Sequence, residues 1–324
     1  MMNLATGHWP FFGFNPWADL LASPDLPRTV RASTPGQGQF VSGTFHSESR
    51  SIDYKLYIPS GEPQAPLPLV VMLHGCGQDA SDFARGTGMN ELAEQAHCLV
   101  LYPEQSTSIS WNRCWNWYDQ AHHERDEGEP ALIADLTRSI IAQHAADASR
   151  VSIAGLSSGG AMAVIMGRTY PDLFTAVGCH SGLPHRSATD TMSALSAMRA
   201  GSDLTSAKQT VPLASVPIIV FHGDVDNTVH QKNSADVVRQ SIECHRAQAP
   251  HDAGEMTVLE ETGEDSGRSF TRHTHCGKTG DVVAEQWTIH GTGHAWSGGN
   301  LRGSYTDTRG PDASREMLRF FMRQ

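Results

Sequence analysis

The chain has 324 residues, 39 % apolar and 18 % charged, a composition that excludes a disordered protein and allows a sizeable buried core. Its 24 basic and 35 acidic residues give a formal charge of −11, which argues against nucleic acid, since a phosphate backbone calls for a basic face. No stretch approaches the roughly 18 consecutive apolar residues of a membrane span.

Residues 1–38 are rich in Pro, Gly and aromatic side chains (Trp9, Phe11, Phe12, Phe14, Trp17). They are expected to form an arm held on the body by those rings, the alternative being an apolar contact surface for an insoluble substrate or a partner. The segment has no basic n-region, and Pro10 and Pro16 interrupt its apolar part, so no secretory leader is read. The expected location is cytoplasmic, or secreted or periplasmic where a leader lies outside the chain.

Gln39–His46 and Ile52–Pro59 are predicted as paired strands. In the second, Ile52, Tyr54, Leu56 and Ile58 alternate with Asp53, Lys55 and Tyr57 at period two. Leu67–Leu73 is apolar on both faces, the pattern of a central parallel strand covered by helices. A helix over Asp82–Ala96, a strand over Cys98–Tyr102, a helix over Pro130–Ala146 and a strand over Val151–Ala154 follow. Ala161–Thr169 reads as a helix and Phe174–Cys179 as a strand. Residues 182–215, rich in Ser, Ala, Thr and Met, break the rhythm and are expected as an insertion capping a site. Val216–Phe221 resumes the strands, followed by a helix over Ser234–Cys244, a strand over Val282–His290 and a helix over Pro311–Met322. The alternation predicts an α/β fold, a doubly wound, mostly parallel sheet with helices on both faces, in one domain over residues 39–324.

Chemistry concentrates at the strand ends. Gly155-Leu156-Ser157-Ser158-Gly159 lies directly after a strand and directly before a helix, the context of a nucleophile elbow. A serine hydroxyl needs a base, and the base needs an acid to hold it. The strand VPIIVF delivers His222-Gly223-Asp224-Val225-Asp226, and Asp226 is the expected acid, with Asp224 capping the turn. His294, after the flexible Gly291-Thr292-Gly293, is the expected base; His290 still belongs to the strand. An oxyanion needs two converging donors, here expected from the backbone N–H groups of Ser158 and Cys76, the latter in the loop Leu73–Gln78. Trp115, Trp117, Trp296 and Gln78 are candidate substrate-lining side chains. His273 and His275 would share one face of a strand and His122-His123 sit in a charged loop. Neither group has an acidic or thiol ligand set, so neither a metal nor a cofactor is expected.

The six cysteines are weak evidence of oxidation in a chain this long. Cys98 and Cys179, among apolar strand residues, read as buried free thiols. For Cys244 and Cys276, in more polar surroundings, a bridge and free thiols are both open.

With these pieces assembled, the chain resembles the poly(3-hydroxybutyrate) depolymerase-like esterases, relatives of feruloyl and acetylxylan esterases within the α/β-hydrolase superfamily. The resemblance rests on LVVMLHGCGQ (69–78), LVLYPEQ (99–105), RCWNWY (113–118), VSIAGLSSGGAMA (151–163), VFHGDVDNTVH (220–230) and HGTGHAWSGG (290–299). It implies ester hydrolysis through an acyl-enzyme, with Ser157, Asp226 and His294 at the triad positions, and a disulfide between Cys76 and Cys114 beside the oxyanion loop. Family members that attack solid polymer carry a linker and a C-terminal substrate-binding domain, neither seen in this chain. The expectation is therefore activity on hydroxyalkanoate oligomers, amorphous polymer or small esters. The alternatives are a feruloyl or acetyl-carbohydrate esterase, or an inactive hydrolase fold serving as a binding protein.

Overall fold

A computed structural model describes residues 38–47, 50–202, 216–248 and 256–324. The expected arm, apart from Gly38, and residues 203–215 of the expected insertion lie outside the described residues.

The strands of the main sheet are β1 (Gln39–Ser47), β2 (Arg50–Ile58), β3 (Leu69–Leu73), β4 (Leu99–Glu104), β5 (Val151–Leu156), β6 (Ala176–His180), β7 (Ile218–Gly223), β8 (Thr257–Asp265), β9 (Arg268–Cys276) and β10 (Val282–Ile289), and two short strands, β11 (Trp296–Ser297) and β12 (Thr306–Asp307), pair separately. The main sheet is ten-stranded, in the order β1-β2-β4-β3-β5-β6-β7-β10-β9-β8. The six strands from β4 to β10 run parallel, with antiparallel strands added at both edges. Every residue of β3, β5, β6 and β7 is buried, as expected of continuous apolar runs enclosed on both faces.

The helices are α1 (Ala80–Thr87), α2 (Met89–Ala96), α3 (Gly128–His144), α4 (Ser158–Thr169), α5 (Thr191–Ala200), α6 (Lys232–Gln248) and α7 (Ala313–Phe321). Successive strand side chains point to opposite faces, and β3 shows the consequence. Leu69, Val71 and Leu73 join a core with Leu136 and Ile140 of α3, Met162 of α4 and Val237 of α6. Val70 and Met72 join the opposite core with Phe83 of α1, Met89 of α2 and Met317 and Phe320 of α7. The sheet is doubly wound. Among the described residues, no helix is long and apolar enough to cross a membrane.

Two expectations change and one segment gains an element. The single helix over Asp82–Ala96 is two, because Gly88 takes φ 62° and its N–H closes α1 onto Ala84 O. The hairpin β8–β9 extends the sheet beyond the predicted strand series. Within the expected insertion lies α5, capped by Asp190 and buried through Ala194, Ala197 and Met198. The His230 N–H donates to Met198 O at 2.7 Å, tying α5 to the segment after β7.

No bridge joins Cys244 to Cys276; both are buried free thiols. Cys244 is buried on α6, whereas Cys276 ends β9 opposite Val282 and Thr257. Cys98 and Cys179 are buried and free as read, and Cys76 is bonded to Cys114.

Candidate active site

The C-terminal ends of β3, β5, β6, β7 and β10 lie in a row, and ligands of open α/β sheets bind at such an edge. Ser157, between β5 and α4, has φ 56° and ψ −119°, a conformation that is strained for a residue with a side chain. Its N–H donates to His180 O at 2.9 Å and its C=O accepts from Ala161 N–H at 2.9 Å, so neighbours on both sides hold the strain. Bulk is excluded around it. A Cβ on Gly155 would lie 2.4 Å from Gly159 backbone, and one on Gly159 would lie 2.2 Å from Leu73 O. Ser157 is 6 % exposed, and its hydroxyl makes no hydrogen bond among the described residues.

The loop after β7 brings Asp226 to the loop after β10. The Asp226 Oδ2 lies 2.8 Å from His294 Nδ1, while its Oδ1 accepts from Thr228 N–H at 2.9 Å and Val229 N–H at 2.8 Å. Burial pushes this carboxyl up, but the His294 and His222 imidazoles and the Val229 N–H outweigh it and hold its pKa at about 2. An ionised Asp226 accepts the proton on His294 Nδ1, which leaves His294 Nε2 as a bare acceptor. Asp224 is engaged elsewhere. It binds His290 Nδ1 at 2.8 Å and accepts from Gly291 N–H at 2.7 Å, outside the Asp226–His294 pair.

The loop Leu73–Gln78, the expected source of an oxyanion donor, is held from within. Gly75 N–H donates to Gln78 Oε1 at 2.9 Å, Gly77 N–H to Asn112 O at 2.7 Å and Gln78 N–H to Gly75 O at 3.3 Å. Among the described residues the Cys76 N–H has no such bond. Ser158 opens α4, where first-turn N–H groups have no intrahelical acceptor. The Cys76–Cys114 disulfide fastens this loop to the one after β4, and Ser158 Oγ sits 3.3 Å from Cys76 Sγ.

The side chains expected to line a substrate cleft are all buried. Trp115 and Trp117 are buried in the core that contains α3, and Trp115 Nε1 donates to His74 O at 3.0 Å. Trp296 is 1 % exposed, edge-on to Phe83, with its Nε1 donating to Ser314 Oγ at 3.0 Å. Gln78 is a buried brace whose Nε2 donates to Ser304 O at 3.0 Å and Asp82 Oδ2 at 3.2 Å. Trp115, Trp296 and Gln78 thus have their side-chain donors paired inside the protein. Exposed apolar groups of this region include Ile109 and Trp111, the latter 60 % exposed, on the loop that supplies Asn112 O to Gly77, and Val225 beside Asp226.

Sequence reasoning also missed three histidines buried at these strand ends: His74 after β3, His180 at the end of β6 and His222 within β7. Burial lowers the pKa of all three, that of His180 to about 3. It likewise lowers those of His123 and, to about 3, His185. An unfolded chain takes up protons on these groups below about pH 6.5, and the native state does not. Stability is therefore full above that pH and falls as pH drops toward 3. The unfolding midpoint is expected to be at least about 5 °C lower at pH 4.5 than at pH 7.5, read by circular dichroism at constant ionic strength. A flat profile over that range would contradict neutral buried imidazoles.

Residues 52–264 match the family described as Esterase PHB depolymerase. The chain is 32 % identical over 248 residues to poly(3-hydroxyalkanoate) depolymerase C of Paucimonas lemoignei, covering 74 % of this chain and 57 % of that protein. It is 34 % identical over 167 residues to feruloyl esterase B of Neurospora crassa, covering 49 % and 56 %. The chain thus spans little more than half the length of these curated relatives. Its fold is that of an acetyl xylan esterase from Aspergillus awamori, with TM-score 0.59, 22 % identity and coverage of 80 % of this chain and 94 % of that one. The architecture is the α/β-hydrolase fold, and the chain belongs to the PHB depolymerase esterase family.

Proposed function

We propose that this chain is a serine carboxylic ester hydrolase acting through an acyl-enzyme on poly(3-hydroxybutyrate)-type polyester, its oligomers or related short-chain hydroxyalkanoate esters. One observation carries the reading: an ionised Asp226 bonded to His294 Nδ1 at the sheet edge that presents the strained Ser157. Catalytic hydrogen bonds often close only around substrate, and the Ser157 Oγ contact with His294 Nε2 is expected to form then.

In acylation, His294 Nε2 takes the Ser157 proton as Oγ attacks the ester carbonyl carbon. The new oxyanion meets the N–H groups of Cys76 and Ser158, and Asp226 stabilises the imidazolium. The imidazolium then gives its proton to the leaving alkoxide, releasing alcohol and leaving the acyl group on Ser157. Water, deprotonated by the same nitrogen, attacks that ester, and Ser157 recovers its proton as the acid departs. No cofactor enters the scheme.

Exposed Ile109 and Trp111 beside the oxyanion loop support an apolar acyl or alkyl portion in the substrate. The names of the relatives support two substrate classes, hydroxyalkanoate polyesters and feruloyl or acetyl-carbohydrate esters. Acid release from hydroxybutyrate oligomers, methyl ferulate, acetylated xylan and p-nitrophenyl esters should be highest, in kcat/KM, on hydroxybutyrate oligomers. Preference for methyl ferulate or acetylxylan would favour the second class, and no acid release from any of them would defeat the ester-hydrolase reading.

A further inference from the structure

We infer that His180 is the positioning residue of the base loop: a neutral imidazole whose Nε2 holds the Ser297 amide and so fixes where His294 stands. The inference rests on the ester-hydrolase reading and gives a role to a buried side chain that the scheme above leaves unused.

The Ser297 N–H donates to His180 Nε2 at 3.0 Å. An imidazole nitrogen that accepts from a backbone amide carries no proton, so the ring is the Nδ1–H tautomer. That Nδ1–H has an acceptor, Ser181 Oγ at 3.2 Å. Both ring nitrogens are satisfied in this protonation state alone. The ring is stacked against Trp296, at 5.1 Å and 24°, and against Phe221, at 5.8 Å and 15°. It is fully buried, and that burial keeps it neutral against the opposing pull of the Asp226 carboxylate.

The ring touches the base loop three residues from His294. Trp296, which it stacks upon, is fastened by its Nε1 to Ser314 Oγ and by its N–H to Tyr305 O at 2.7 Å. Ser297 Oγ donates to Pro311 O at 2.8 Å. The C-terminal side of the base loop is thus a fixed post, and His180 joins that post to the sheet. Its own carbonyl accepts the Ser157 N–H. One residue therefore references nucleophile and base to each other, by its backbone on one side and its side chain on the other. Buried polar contacts of this kind set catalytic geometry, where a misplacement of about 1 Å can lower rate about 100-fold.

The test compares His180→Phe, which keeps the stacking and removes the acceptor, with His180→Gln, whose Oε1 can reach the Ser297 amide. On p-nitrophenyl butyrate, His180→Phe is expected to lower kcat about 30-fold with KM within about twofold, and His180→Gln to recover most of the loss. In a His294→Ala background the Phe substitution should lower the residual rate by less than about twofold, because there is no base left to position. Hydrogen exchange at the Ser297 amide should quicken at least about tenfold in His180→Phe and much less in His180→Gln, a readout independent of turnover. Should His180→Phe not fold, His180→Asn replaces it: too short to reach the amide, it is expected about tenfold below His180→Gln in kcat. Wild-type kcat in the acceptor-less variant, an undiminished loss in the His294→Ala background, or unchanged Ser297 exchange would each overturn the inference. An inactive wild type would instead defeat the ester-hydrolase reading, and the exchange comparison would still decide the tether.

Discussion

Ser157→Ala is expected to lower ester turnover on the order of a million-fold and to abolish labelling by a fluorophosphonate, with folding intact. The size follows from the unit to which Ser157 belongs. Without its oxygen the His294–Asp226 pair has no proton to take from a nucleophile, and only water attack assisted by the oxyanion donors remains. Stability should hardly change. The hydroxyl makes no hydrogen bond among the described residues, and alanine at φ 56° is no more strained than serine. The unfolding midpoint is expected within about 1.5 °C of the wild type, corresponding to about 1 kcal/mol for a chain of this size. Labelling that persists in the variant would move the nucleophile elsewhere. The adjacent Ser158 is the natural suspect, but it is buried with its hydroxyl turned to the Cys76 sulfur.

The parallel core of the sheet was legible because a strand buried on both faces must be apolar throughout. The elbow was legible because a turn that tight excludes side chains at Gly155 and Gly159. What failed shares a cause, since residue type does not say which way a side chain points. Trp115, Trp117 and Trp296 have the size of cleft-lining groups, yet all three are core, and Trp111 from the same loop is the exposed one. The hairpin β8–β9 was hidden by polarity. Nearly every residue of β8 is exposed, so no apolar face marks the strand, and only backbone pairing to β9 makes it one. The buried histidines were invisible for a further reason. Their role depends on which backbone amide meets each ring nitrogen, as Gln105 N–H meets His74 Nε2 at 3.0 Å, and that is set by loops distant in sequence. The Cys76–Cys114 bond came from the family resemblance, since the spacing of the two cysteines does not dictate it.

Asp226→Asn is expected to lower kcat about ten-thousand-fold while KM stays within about threefold, and Asp224→Asn to change kcat by less than about threefold. The two carboxylates stand two residues apart on one loop, so the contrast tests geometry rather than composition. An amide at position 226 can still accept from the Thr228 and Val229 N–H groups. Its NH2 would then face His294 Nδ1, which must become the acceptor, placing the ring proton on Nε2 where the base must be bare. Asp224, by contrast, holds an exposed His290 and the Gly291 N–H, and exposed pairs of this kind contribute at most about 1 kcal/mol. A second difference lies in acid. The Asp226 pKa is held at about 2, below the ordinary value of 3.8, so its pairing stabilises the fold above about pH 4 and is lost as pH falls through 2. The net contribution of the Asp226 carboxylate in all its surroundings is about 2 kcal/mol, and Asp226→Asn should show a correspondingly shallower loss of stability between pH 4 and pH 2. Equal losses of kcat in the two variants would mean that the loop, not the Asp226–His294 pair, carries the effect.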